Sequence, residues 1–120
     1  MKNVWVVEDD PSIRELIELL LIEEGYRVSL FENALQFNTA LNNSSTKIDA
    51  IIMDLRLPDG NGVNLCHRVK ISQKFGNVPV LMMSANATHG DVERFCRADD
   101  YLPKPFDIRE LVKRLNRLVA

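Results

Sequence analysis

The chain has 120 residues, 46% of them apolar and 27% charged, and its 15 basic and 17 acidic side chains leave a net charge of -2. That length and balance exclude a disordered tail and predict one globular domain over residues 1–120. No basic field invites nucleic acid or an anionic membrane, and two cysteines, Cys66 and Cys96, are too few for a disulfide framework or a metal quartet.

The longest apolar runs, such as Leu19 to Ile22 and Val78 to Met83, fall far short of the ~18 residues of a membrane span. Acidic residues begin by Glu8, so no secretory leader is expected, and a cytoplasmic location is. Val4 to Val7 is a continuous, β-branched apolar run, as a strand buried on both faces should be. Asp10-Pro11 predicts a helix cap followed by the first helical residue. Ile13, Leu16, Ile17 and Leu20 then fall on one helical face, and Gly25 closes that helix. Tyr26 to Phe31 predicts a second strand, and Ala34, Phe37 and Leu41 mark a second helix that ends in the polar stretch Asn42 to Lys47.

Ala50 to Met53 predicts a third strand running straight into Asp54. Leu55 to Gly62 is turn chemistry, and Leu65, Cys66 and Val69 mark a third helix, with Cys66 a small apolar core residue. Val78 to Met83 predicts a fourth strand that ends at Ser84, followed by a short polar helix over Thr88 to Ala98. Tyr101 to Pro103 reads as a brief fifth strand, placed at a sheet edge by its proline. The last helix turns Ile108, Leu111, Val112, Leu115, Leu118 and Val119 inward, leaving Arg109, Lys113, Arg114 and Arg117 as a solvated face.

Five strand–helix repeats of this length predict an α/β, (βα)5 doubly wound fold. Its five-stranded parallel sheet would take the flavodoxin-like order 2-1-3-4-5, flanked by five helices. The working site of such a sheet lies beyond the carboxyl ends of its strands. Those ends carry Glu8, Asp9 and Asp10, then Asp54, Ser84 and Lys104. Converging carboxylates need either a raised pKa or a bound cation, and an all-oxygen cluster suits Mg2+. Asp10 goes to the helix cap because Pro11 follows it.

These residues resemble the receiver domain of two-component response regulators. The likeness is carried by Val6 to Arg14, Met53 to Gly62, Met83-Ser84-Ala85 and Asp100 to Phe106, in family order along the whole chain. It implies a phosphorelay function, with Asp54 accepting a phosphoryl group from the phosphohistidine of a histidine kinase or a histidine phosphotransfer protein. Glu8, Asp9, Asp54 and the backbone carbonyl of Arg56 would hold Mg2+. Ser84 and Lys104 would hold the phosphoryl oxygens, and Ser84 and Tyr101 would act as the switch. Arg56 and Asn86 would tune the lifetime of the acyl phosphate, and the bond between Lys104 and Pro105 would be cis.

The resemblance also implies a switch and not a turnover enzyme, with a downstream effector and a homodimer through the Thr88–Ala98 helix, fifth strand and last helix. The Ser84-to-Lys104 interval is shorter than the family norm by about half a helical turn, and Arg97 stands where a glycine is usual. Both departures fall on the output side. A receiver-like docking module that binds without phosphorylation is the alternative. A flavin carrier is disfavoured, because Glu8-Asp9-Asp10 would repel its phosphate, and a dehalogenase-type phosphatase needs an aspartate where Arg56 stands.

Overall fold

A computed structural model describes residues 1–84 and 97–120. Five parallel strands, β1 (Asn3–Val7), β2 (Arg27–Phe31), β3 (Ala50–Asp54), β4 (Val80–Ser84) and β5 (Asp100–Pro103), form one sheet in the order β2-β1-β3-β4-β5. The helices among the described residues are α1 (Pro11–Glu23), α2 (Ala34–Asn43), α3 (Gly62–Ile71) and α4 (Ile108–Val119). The helix expected over Thr88–Ala98 lies outside the described residues except for Arg97 and Ala98, which are not helical.

The two-residue period of the strands sorts the core into two halves. Trp5, Val7, Ile51, Met53, Val80 and Met82 face α2 and α3, meeting Phe37, Leu41, Leu65 and Val69. Val4, Val6, Ile52, Leu81 and Met83 face the other way, onto Ile17 and Leu21 of α1 and Leu111 and Leu115 of α4. The interior strands β3 and β4 are buried at every position, hence their unbroken apolar runs. Trp5, Phe31 and Phe37 pack edge to face or tilted, with ring centroids 4.9–5.9 Å apart.

Helix starts follow the cap chemistry. Asp10 accepts from the amides of Ser12 and Ile13, Asn33 from Gln36, Asn61 from Asn64 and Asp107 from Arg109. Gly25, at φ +90°, closes α1 as expected of its missing side chain.

Three details differ from the sequence expectation. The expected turn over Leu55–Gly62 contains a small antiparallel hairpin, pairing Arg56–Leu57 with Gly60–Asn61. The fourth strand begins at Val80 and not Val78, directly after Pro79, which has no amide hydrogen to give a ladder. In α1 the buried pair is Ile17 and Leu21, whereas Leu16 is 49% exposed. The run Leu19 to Ile22 is apolar all round the helix, so periodicity alone could not select which side meets the sheet.

Candidate functional site

The sheet order makes β1, β3, β4 and β5 consecutive neighbours, so the residues at their carboxyl ends fall side by side. Asp54 pairs in register with Met83, and Ser84 with Pro103. Beyond the last rungs, the Leu55 amide donates to the Met83 carbonyl at 2.8 Å, and the Lys104 amide to the Ser84 carbonyl at 2.8 Å. Glu8 is held the same way, its amide donating to Phe31 at 3.0 Å. Backbone pairing, and not side-chain chance, sets the floor of the site.

On this floor Glu8, Asp9 and Asp54 each offer a carboxylate oxygen, all within 4.8 Å of one another. Glu8, Asp54 and Ser84 are buried, while Asp9 is open to solvent. Lys104 lies over the cluster. Its Nζ donates to Glu8 Oε2 at 3.1 Å and Oε1 at 3.3 Å, and to Asp54 Oδ2 at 3.1 Å.

The electrostatics follow from that geometry. Burial, reinforced by the charge of Asp54 and opposed by Lys104, pushes the Glu8 carboxyl up to about 7. Burial pulls the Lys104 ammonium down, but its bonds to Asp54 and Glu8 outweigh that and leave it above the ordinary lysine value. A protonatable glutamate and a lysine thus share the task of neutralising the cluster. An all-oxygen set with one open edge, at Asp9, is the donor chemistry a hard divalent cation takes.

The approach of α3 is made possible by one glycine. A Cβ at Gly62 would lie 2.3 Å from the Asp54 carbonyl oxygen and 2.9 Å from Met82 Sδ, so only glycine lets the helix start beneath the aspartate. The Gly62 amide donates to Leu55, at 2.6 Å, fixing the same loop.

Arg56 follows two residues later, its amide 3.4 Å from Asp54 Oδ1 and its side chain exposed. The peptide bond between Lys104 and Pro105 is cis. Tyr101 sits on edge strand β5, half-buried against the α2–α3 side of the core. Asn86 and His89 lie outside the described residues. His67 is exposed on α3 and takes no part in the cluster. Asp10 belongs to the α1 cap, as Pro11 foretold.

Three contacts escaped the sequence reading. Arg14 Nη1 donates to the carbonyls of Glu8 at 2.9 Å and Asp9 at 3.3 Å, bracing the acidic loop from α1. Asp59 accepts from the amides of Ala34 at 2.7 Å and Leu35 at 2.9 Å, which ties the hairpin after Asp54 to the start of α2. Arg114, expected as part of a solvated face, instead bonds Asp100 Oδ1 at 3.1 Å, the Tyr101 carbonyl at 2.6 Å and Glu110 at 2.9 Å. The Asp59 and Arg114 contacts with Ala34, Leu35, Asp100 and Tyr101 join residues 13 to 25 apart in the chain, and the Arg14 contact turns back onto a loop carbonyl, so periodicity announces none of them.

Residues 4–116 match the family model of the response regulator receiver domain. The chain is a receiver domain of that family. Curated relatives include the DNA-binding transcriptional regulator NtrC of Proteus hauseri, 38% identical over 98% of this chain and 24% of that protein. Another is the transcriptional regulatory protein GltR of Pseudomonas aeruginosa, 33% identical over 98% of this chain and 49% of that protein. The receiver therefore spans between a quarter and a half of the length of these relatives.

Among solved structures, the receiver domain of the sensor histidine kinase PA1611 of Pseudomonas aeruginosa superposes with a TM-score of 0.86. It is 33% identical, covers 98% of this chain and 97% of that one, and has a magnesium ion coordinated in its active-site cleft. The chemotaxis response regulator CheY4 of Vibrio cholerae gives a TM-score of 0.89 at 25% identity, covering 98% of both chains. The response regulator TrrA of Thermotoga maritima, in complex with Mg2+ and BeF, gives 0.84 at 28%, covering 98% of this chain and 99% of that one. No helix among the described residues is long and apolar enough to cross a membrane.

Proposed function

We propose that this receiver is the phosphoacceptor of a two-component phosphorelay, taking a phosphoryl group on Asp54 in a Mg2+-dependent reaction. The observation that carries the reading is the convergence of Asp54 with Glu8, Asp9 and Lys104 at one edge of the sheet. The donor set fits Mg2+, which the PA1611 receiver domain coordinates in its active-site cleft and which TrrA carries in complex with BeF. Glu8, Asp9, Asp54 and the backbone carbonyl of Arg56 would be its protein ligands. When bound, the ion supplies positive charge against the carboxylates and the phosphoryl oxygens.

The chain's own residues do the rest. An oxygen of the Asp54 carboxylate attacks phosphorus and forms the acyl phosphate bond. The phosphorus–nitrogen bond of the donor phosphohistidine breaks, and the imidazole leaves with its electron pair. Lys104 neutralises charge on the phosphoryl oxygens, and the Ser84 hydroxyl donates to one of them.

The new charge at Asp54 favours an arrangement in which Ser84 and Tyr101 are drawn toward it, and the face around β5 and α4 carries the signal. Arg114 supports this route physically, because it fastens α4 to the backbone of Tyr101. Arg56 and Asn86 would tune the lifetime of the acyl phosphate. The partners are a histidine kinase or histidine phosphotransfer protein upstream and an effector downstream, in the cytoplasm. The domain acts as one switch unit over residues 1–120, and a homodimer through its signalling face would be one output.

Intact-mass measurement after incubation with acetyl phosphate and Mg2+ tests this. One added phosphoryl group is expected, absent without Mg2+ and absent in Asp54→Ala. No adduct from either a small donor or a histidine kinase would overturn the proposal in favour of a docking module.

A further inference from the structure

The three carboxylates of the cluster are not held alike. Glu8 is buried and bonded by Lys104, and Asp54 ends a buried strand whose register β4 fixes. Asp9 lies beyond the end of β1 and is exposed, and among the described residues no side-chain partner fixes its carboxylate. Something else must keep it within reach of the other two.

The backbone does so, through one residue of α1. Arg14 Nη1 donates to the Glu8 carbonyl at 2.9 Å and the Asp9 carbonyl at 3.3 Å, and the Arg14 amide donates to the Asp10 carbonyl at 2.9 Å. The other arm of the fork, Nη2, is held by Glu32 Oε1 at 3.3 Å. The Glu8 carbonyl belongs to the peptide plane before Asp9, and the Asp9 carbonyl to the plane after it. Peptide units are rigid and only φ and ψ turn between them, so two pinned planes set where the Asp9 side chain leaves the chain.

We propose that Arg14 is a positioning residue for the divalent cation: by pinning both peptide planes that flank Asp9, it keeps that carboxylate beside Glu8 and Asp54. The inference rests on the reading that this cluster takes Mg2+. The sign of the charge separates positioning from simple electrostatics. A guanidinium stays ionised at any working pH, so its field opposes a cation bound nearby. Acting by charge alone, Arg14 would weaken Mg2+ binding; acting on the loop, it strengthens it. Its donors go to carbonyl oxygens and leave the cluster's carboxylates to the cation, whereas Lys104 donates to the carboxylates themselves. Lysine could not replace it, because an ammonium lacks the planar fork that serves two carbonyls and a carboxylate together.

Calorimetric titration of the metal-free chain with Mg2+ alone tests this on the wild type, Arg14→Gln and Arg14→Lys. Both variants are expected to bind about tenfold more weakly, as when a group that orients a metal ligand is lost. Phosphorylation by acetyl phosphate should show the matching split: about tenfold more Mg2+ for half the maximal rate, and a rate at saturating Mg2+ close to wild type. Urea denaturation checks that the variants fold, and Arg14→Lys, which keeps the stem and the charge, decides the matter where Arg14→Gln does not. Unchanged or tighter Mg2+ binding in a folded variant overturns the proposal, as does a lower saturating rate with an unaltered Mg2+ requirement. A wild type without Mg2+ affinity overturns the underlying reading as well, and the two failures are told apart by that one titration.

Discussion

Lys104 Nζ stands 3.1 Å from Asp54 Oδ2 and an equal 3.1 Å from Glu8 Oε2, so one ammonium bridges two buried carboxylates. It supplies the counter-charge to both. Replacing it should therefore reveal how much repulsion it holds in check.

Lys104→Met is expected to lower stability by about 3 kcal/mol in metal-free buffer, because two buried carboxylates lose their counter-charge. Urea denaturation with and without Mg2+ measures this. Saturating Mg2+ should recover much of the loss in the variant and add less to the wild type.

Glu8 predicts an unusual pH dependence. Its folded pKa, about 7, lies above its ordinary value of 4.5, so the folded state binds the proton more tightly. The stabilisation from this group is complete below 4.5 and is lost as pH rises toward 7. Metal-free Glu8→Gln should lack that limb of the stability profile. Mg2+ competes with the proton, so its apparent affinity in the wild type should climb across the same window, readable by isothermal titration.

Gly62→Ala places a methyl group against the backbone carbonyl of Asp54 at 2.3 Å, which no rotamer change relieves. A loss of about 3 kcal/mol is expected, with α3 pushed away from the aspartate. Thermal unfolding gives the first effect, and a slower reaction with acetyl phosphate the second.

Asp59 should behave in the opposite sense to Glu8. The amides of Ala34 and Leu35 hold its carboxyl below the usual aspartate value. Its contribution is present above the unfolded pKa and lost as pH falls through the lower folded one. Asp59→Ala is expected to reduce the urea midpoint at neutral pH and to flatten the acid side of the profile. Asp59→Asn, which keeps an acceptor, should restore part of the midpoint but not the pH dependence.

Much of this architecture was legible in the chain. The β-branched runs at Val4–Val7 and Ala50–Met53, the Asp10-Pro11 cap and the edge proline at Pro103 each state a local physical requirement, and the structure meets them. The acids Glu8, Asp9 and Asp54 were readable as neighbours because strand ends in an open parallel sheet converge by topology. The side of α1 that meets the sheet was not readable, since Leu16 and Leu21 look alike to a periodic reading and only packing separates them. Arg14, Asp59 and Arg114 were invisible for another reason: each bonds backbone atoms, which carry no side-chain signature, and for Asp59 and Arg114 those atoms come from a distant segment.

The hairpin between Arg56 and Asn61 gives Asp59 a use beyond holding a helix end. Because that carboxylate clasps the first turn of α2 while the same hairpin carries Arg56, a tug on α2 is transmitted to the rim of the aspartate pocket without crossing the sheet.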